Sequence, residues 1–163
     1  MTDADLIVIG AGLSGCALIY QLRLLGWKGK IALVEAGRGC GGRSASRRRR
    51  DQPNWRLDHG APGFHLSQPV SAELEPLLNR LREAGVLAEE LAEIISIDAD
   101  GHPTTNGVDA MPEGGWWRGN PCMASLCEHL LEQAGSERLD LHWQRRVRWL
   151  DRRDGKWTLS DQD

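Results

Sequence analysis

Gly10-Ala11-Gly12-Leu13-Ser14-Gly15 places three glycines in the spacing G-x-G-x-x-G, directly ahead of a helical pattern. Each glycine answers a separate need of a bound diphosphate. Gly10 makes the tight turn, Gly12 lets a pyrophosphate approach the backbone, and Gly15 lets helix and strand pack closely. Free N–H groups at the start of the following helix, with its dipole, attract the negative charge. Glu35 stands twenty residues beyond Gly15, where a carboxylate accepts hydrogen bonds from an adenosine ribose. Gly41-Gly42-Arg43 follows. Paired glycines allow a second close backbone approach, and Arg43 offers a forked donor to phosphate. A glycine hexapeptide alone is common; strand, glycines, helix, strand and acid in register are not. This unit by itself suits NAD and FAD alike.

Elements that hold these residues are legible on either side of them. Leu6 to Ile9 is a short continuous apolar run, as in a parallel strand covered on both faces. From Leu13 to Leu25 apolar residues recur at helical spacing, and Gly26 ends the helix. Ile31 to Val34 is a second buried strand closed by Glu35, and a right-handed crossover keeps the two strands parallel. Residues 36 to 70 are rich in Gly, Arg and Pro and read as a long functional loop. Ser71 to Ala84 reads as a helix with Ser71 as cap and Gly85 as stop, and Leu91 to Ile97 as a strand entering the turn Asp98-Ala99-Asp100-Gly101. Met123 to Ala134 is a further helix, ended by Gly135. Leu139 to Leu150 and Lys156 to Leu159 read as strands joined by Asp154-Gly155, a hairpin signal.

The composition excludes several classes. Over 163 residues, 40% are apolar, 26% are charged and the net charge is −3, which fits a globular domain rather than a disordered chain or a basic nucleic-acid module. The apolar front segment is broken by glycines and preceded by Asp3 and Asp5, where an export signal carries Lys or Arg. Cys16, Cys40, Cys122 and Cys127 form no C-x-x-C pair and no metal-ligand spacing, so they read as reduced thiols. Six arginines between Arg38 and Arg50 read as an electropositive rim at the diphosphate and, individually, as solvated loop. A nucleic-acid surface is the weaker reading, because only Trp55 offers nearby stacking. His59 and His65 are candidate bases near the loop, yet a cofactor that carries the electron chemistry itself does not demand one. No catalytic residue and no metal site is assigned. Trp116-Trp117 reads as packing before it reads as a cavity wall.

From Glu35 through Arg43 the sequence resembles the flavin-dependent amine oxidase superfamily and, within it, the renalase-like oxidoreductases. The resemblance continues at Ser44-Ala45-Ser46-Arg47-Arg48, at Asp58-His59-Gly60-Ala61, at Trp117 to Met123 and at Val147-Arg148-Trp149-Leu150. It implies FAD as cofactor. Gly10, Ala11, Gly12, Leu13, Ser14 and Gly15 would surround the diphosphate, and Glu35 with Ala36 would hold the adenosine ribose. Arg38 would lie near the adenosine, and Gly42 and Arg43 would face phosphate or the ribityl chain. Gly60, Ala61 and Pro62 would lie near the isoalloxazine, and Val147 would touch adenine through its backbone. Two positions depart from the pattern: Pro62-Gly63 replaces a Gln-aromatic pair, and Pro121-Cys122-Met123 replaces Pro-Gly-Met.

The expectation is therefore an α/β chain: a Rossmann-like FAD-binding domain with a parallel sheet, plus the beginning of an antiparallel-sheet substrate domain. Residues 1–70 would form the dinucleotide unit and its Gly/Arg-rich loop, 71–122 a partial substrate segment, and 123–163 a return to the first domain. Relatives of about twice this length make the chain read as an N-terminal portion. The expected activity is hydride transfer to flavin from an amine or a reduced nicotinamide, NAD(P)H. A non-catalytic nucleotide-binding fragment and an NAD-dependent dehydrogenase are the alternatives; Glu35 disfavours a 2′-phosphate. The partner is a small-molecule substrate, with no nucleic acid and no membrane. Exposed apolar surface on an incomplete domain predicts self-association, and the absent export signal predicts a cytoplasmic place.

Overall fold

The structure is a computed structural model that describes residues 3–91, 95–104 and 113–160. Along the chain the elements are β1 (Leu6–Ile9), α1 (Leu13–Leu24), β2 (Ile31–Val34), β3 (Ser46–Arg48), β4 (Arg56–Asp58) and β5 (Phe64–Ser67). Then come α2 (Glu75–Glu83), β6 (Leu87–Glu89), β7 (Ser96–Ile97), β8 (Pro103–Thr104) and β9 (Gly114–Gly119). The last are α3 (Ala124–Ala134), β10 (Leu139–His142), β11 (Trp149–Arg153) and β12 (Lys156–Ser160). They divide into two compact units, Met1–Pro62 with Pro121–Asp163, and Gly63–Asn120.

The first unit is built on a parallel sheet of order β1-β2-β10, with Leu6 and Leu139 both in register with Ile31. All four residues of β2 are buried, because a strand flanked on both edges and covered on both faces meets no water. Helices α1 and α3 pack together and supply Cys16, Ile19, Leu126, Cys127 and Leu130 to the same core. Each fully buried Ile or Leu contributes about 1.5–3 kcal/mol of hydrophobic stabilisation. One arginine fixes the helix ends: the Arg23 guanidinium donates to the carbonyls of Trp27 and Gly29, both at 2.9 Å, and of Arg138 at 3.0 Å. Two antiparallel hairpins complete the unit, β3–β4 and β11–β12.

In the second unit β9 lies between β5 and β6 in an antiparallel sheet. Leu78 and Leu81 of α2 and Leu87 of β6 are buried there. The Arg82 guanidinium lies over the Trp117 ring at 4.5 Å and pairs with Glu75 at 3.0 Å. The architecture is thus α/β and Rossmann-like, a parallel sheet accompanied by antiparallel ones. Among the described residues no helix is long and apolar enough to cross a membrane.

Several element boundaries differ from the sequence expectation. The 36–70 stretch is not one loop but carries β3, β4 and β5. Helix α2 starts at Glu75, not Ser71, because the Ser71 carbonyl accepts from Leu74 and Glu75 in a preceding turn. Pro76 then occupies the first helical turn, where its missing N–H costs nothing. Of the strand expected at Leu91 to Ile97, the described residues form the two-residue β7; β6 lies ahead of the expected span, Leu91 and Ile97 are exposed, and residues 92–94 lie outside the described set. The expected strand Leu139 to Leu150 stops at His142, since Gln144 takes φ 58° and its N–H turns to the Gly37 carbonyl at 2.8 Å.

Candidate dinucleotide site

The glycine turn leaves β1 at Gly10, whose N–H donates to the Val34 carbonyl at 2.8 Å and whose φ of 96° belongs to glycine. Gly15 has no room for a side chain: a Cβ there would stand 2.2 Å from the Gly10 carbonyl oxygen and 3.3 Å from a Val8 methyl. The absence of a Cβ brings the start of α1 down onto β1. Gly12 is the N-cap of α1, and no side-chain cap bond is made there. Its own missing Cβ would meet nothing nearer than the Gly42 Cα at 4.0 Å, so the space above it is open to a ligand.

The Glu35 carboxylate is aimed into this turn. One oxygen accepts the Ala11 N–H at 2.8 Å and the other the Gly37 N–H at 2.6 Å. Its main chain is fixed at the same time, the N–H donating to His142 and the carbonyl accepting from Arg145, both at 2.9 Å. The Gly41 N–H donates to the Ala11 carbonyl at 2.7 Å, and Gly12 and Gly41 form a parallel bridge. Gly41 has φ 128° and Gly42 φ 54°, and a Cβ on Gly42 would press on the Gly12 Cα at 3.2 Å. The two glycine loops therefore lie backbone to backbone, with Glu35 beside them.

Leu13 is half-buried, while Ser14, Ala36, Arg38 and Arg43 are exposed. The Ala61 N–H donates to the Arg43 carbonyl at 2.8 Å, and a Cβ on Gly60 would collide with that same oxygen. Gly60 and Ala61 are thereby joined to the Gly42-Arg43 turn, with exposed Pro62 next along the chain. Half-buried Val147 belongs to the loop after β10 that is tied to Glu35 and Gly37 through Arg145 and Gln144.

Sequence reasoning missed how this segment is anchored. The Ser46 hydroxyl donates to Asp58 at 2.5 Å, Asp58 accepts the Met123 N–H at 3.0 Å, and Ser46 accepts the Ala124 N–H at 3.1 Å. The β3–β4 hairpin thus caps the start of α3, and Arg48 adds an ion pair to Glu128 of the same helix. Asp58 opened one of the motifs that carry the resemblance, which was the available signal. His59 is exposed. In the second unit His65 meets Trp116 edge-on at 5.8 Å. There too Asp98, Asp100 and His102 gather in an exposed turn, where Asp98 already accepts the N–H groups of Asp100 and His102.

Comparison with known proteins agrees with this geometry. A family described as NAD(P)-binding Rossmann-like domain matches residues 8–81. A tRNA 5-methylaminomethyl-2-thiouridine biosynthesis bifunctional protein of Ralstonia nicotianae is 26% identical, over 95% of this chain and 28% of that protein. A solved structure assigned as a protoporphyrinogen oxidase from Exiguobacterium sp. 255-15 superposes with a TM-score of 0.61 at 14% identity, covering 98% of this chain and 56% of its own. The tetracycline destructase Tet(51) gives 0.50 at 18% identity, over 96% and 35%. At these identities the solved structures speak for the fold. The chain spans between about a quarter and just over half of the length of these relatives.

Proposed function

We propose that this chain supplies the dinucleotide-binding part of an FAD-dependent oxidoreductase whose substrate is an amine or a reduced nicotinamide. The observation that carries the reading is the Glu35 carboxylate, held at the mouth of the glycine turn by Ala11 and Gly37. Each carboxylate oxygen keeps acceptor capacity beyond the one N–H it receives, which suits a pair of ribose hydroxyls. The donor set fits the rest of a dinucleotide: an open backbone face at Gly12, a helix start with no side-chain cap, and exposed Arg43 and Arg38 nearby in sequence. Bound there, FAD would supply the hydride acceptor. Gly10 to Gly15 would hold the diphosphate, Glu35 and Ala36 the ribose, and Gly42 and Arg43 the phosphate side of the second half. Gly60, Ala61 and Pro62 would lie toward the flavin ring, and the Val147 backbone toward adenine.

A second reading, NAD in the same cradle, is favoured by the description of the family that matches residues 8–81. Titration of the purified chain with FAD, NADH and NADPH separates the two. FAD binding tighter than NADH, with NADPH weakest because Glu35 repels a 2′-phosphate, supports the first. A folded chain that binds NADH and ignores FAD overturns it. Glu35→Gln should weaken FAD by about tenfold or more, since hydrogen bonds to a charged acceptor are worth about 1.5–3 kcal/mol. Arg43→Ala should weaken it as well; unchanged retention removes that residue's assignment.

A further inference from the structure

Charge is divided unevenly along this chain. Residues 36–57 hold seven arginines, no lysine and one acid, Asp51, in a molecule of net charge −3. The Gly63–Asn120 unit is the reverse, with ten acids against three arginines. Surfaces of opposite sign steer two molecules together and fix their register, over about 8 Å at physiological ionic strength.

The β3–β4 hairpin sorts its arginines into engaged and open ones. Ser46, Asp58 and Arg48 turn to α3, meeting the Ala124 and Met123 N–H groups and the Glu128 carboxylate. Arg47 and its register partner Leu57 take the other face, because neighbours along a strand alternate. Both are exposed there. Arg49 pairs with Asp51 at 2.6 Å, and the Arg56 guanidinium donates to the Pro53 and Trp55 carbonyls. Arg47 and Arg50 are left exposed, with no ion pair among the described residues. On the acidic unit, Glu75 and Glu90 are held by Arg82 and Arg118 at 3.0 and 2.9 Å. Glu89 and Asp100 are exposed, and so are three apolar side chains of the same stretch, Leu91, Ile95 and Ile97.

We propose that the β3–β4 hairpin of one copy docks head-to-tail on the acidic Gly63–Asn120 unit of a second copy. Arg47 and Arg50 meet carboxylates that include Glu89 and Asp100, and Leu57 meets the exposed apolar side chains beside them. The composition of both surfaces favours this occupant. A nucleic-acid backbone would leave Leu57 without an apolar partner. A lipid surface would meet Asp51, Gln52 and Asn54 in the turn between the two strands, where insertion calls for apolar side chains. Arginine beside an exposed apolar residue is instead the make-up of a protein interface, and lysine is depleted in both. A second copy brings the opposite charge and the apolar area together. The contact does not depend on a bound dinucleotide.

Sedimentation across a salt series tests it on the unmodified chain. The Debye length falls from about 30 Å at 0.01 M to about 3 Å at 1 M, so self-association should weaken by about tenfold or more over that range. Apolar association persists at high salt; a dissociation constant that salt leaves unchanged overturns the proposal, and so does a monomer at low salt. Two charge reversals then identify the surfaces. One chain carries Arg47→Glu with Arg50→Glu, the other Glu89→Arg with Asp100→Arg. Each alone sets like charges against each other and should lose the salt-sensitive association, since such juxtapositions cost several kcal/mol. Mixed one to one at low salt, the two should associate again, because the reversed hairpin now faces the reversed acidic unit. Mixed chains that stay apart, or single variants that associate as the unmodified chain does, overturn the assignment of these residues. If either variant does not fold, the salt series still decides. A chain that is monomeric at low salt yet shifts on adding a single-stranded oligonucleotide would give the hairpin to a nucleic acid instead.

Discussion

Glu35 and Asp58 do comparable work, each a carboxylate that accepts one main-chain N–H from a distant part of the chain, that of Ala11 and that of Met123. Asp58 reaches the Met123 N–H across 65 positions and Ser46 across 12. Asp58→Ala removes a helix cap and strands the Ser46 hydroxyl, so stability should fall by about 1–2 kcal/mol, read as a lower urea midpoint. An unchanged midpoint would show that α3 needs no such cap. The glycines separate stability from binding. Gly15→Ala drives a Cβ into the Gly10 carbonyl and should cost about 1–3 kcal/mol by overpacking. Gly12 has φ −77°, which alanine accepts. The entropy removed from the unfolded chain, about 0.4–1 kcal/mol, roughly offsets the poorer cap that alanine makes. Gly12→Ala should therefore leave the midpoint nearly unchanged yet weaken dinucleotide binding. Weakened stability with intact binding would reverse the assignment of Gly12. Glu35 was legible because its position relative to the glycines follows from one turn, one helix and one strand. The role of Asp58 was not, since no local spacing links it to α3.

Elements were legible where punctuation and burial agree. Gly26, Gly85 and Gly135 all take positive φ just after α1, α2 and α3, as their places in the sequence require. Asp154 at φ 50° and Gly155 at φ 78° form the two-residue turn of the β11–β12 hairpin. Strands β3 and β4 escaped notice because they are three residues long and rich in charge, so they carry no apolar alternation to read. At α2 the cap signal misled. Ser71 lies four residues before the first helical residue, and Leu74 is the N-cap. Ser71→Ala should accordingly change stability by less than about 0.5 kcal/mol, where a true cap would cost about 1 kcal/mol. A larger loss in thermal or urea unfolding would show that Ser71 holds the turn through its side chain after all.

At the scale of the molecule, the parallel sheet of the first unit has β1 at one end of the order β1-β2-β10, so among the described residues its outer edge adjoins no further strand. Beside it lies an open cavity of about 1050 Å³ lined by Leu6, Ile7, Ile9, Leu150, Trp157 and Leu159, among others. Ile9 is 52% exposed, Leu150 53% and Trp157 58%. Apolar side chains clustered in this way, next to an edge that can still accept a strand, are an association hazard. The chain alone should therefore bind an apolar fluorescent dye and sediment as concentration-dependent oligomers. Trp157→Gln should reduce both signals, because it removes the largest exposed ring lining the cavity while leaving the buried Leu159 in place. Dye binding that survives the substitution would move the sticky surface elsewhere. A monomer at every concentration would mean that the edge of β1 and the hairpin beside it are shielded by their own charged neighbours, Asp5, Lys30 and Lys156, which also line the cavity.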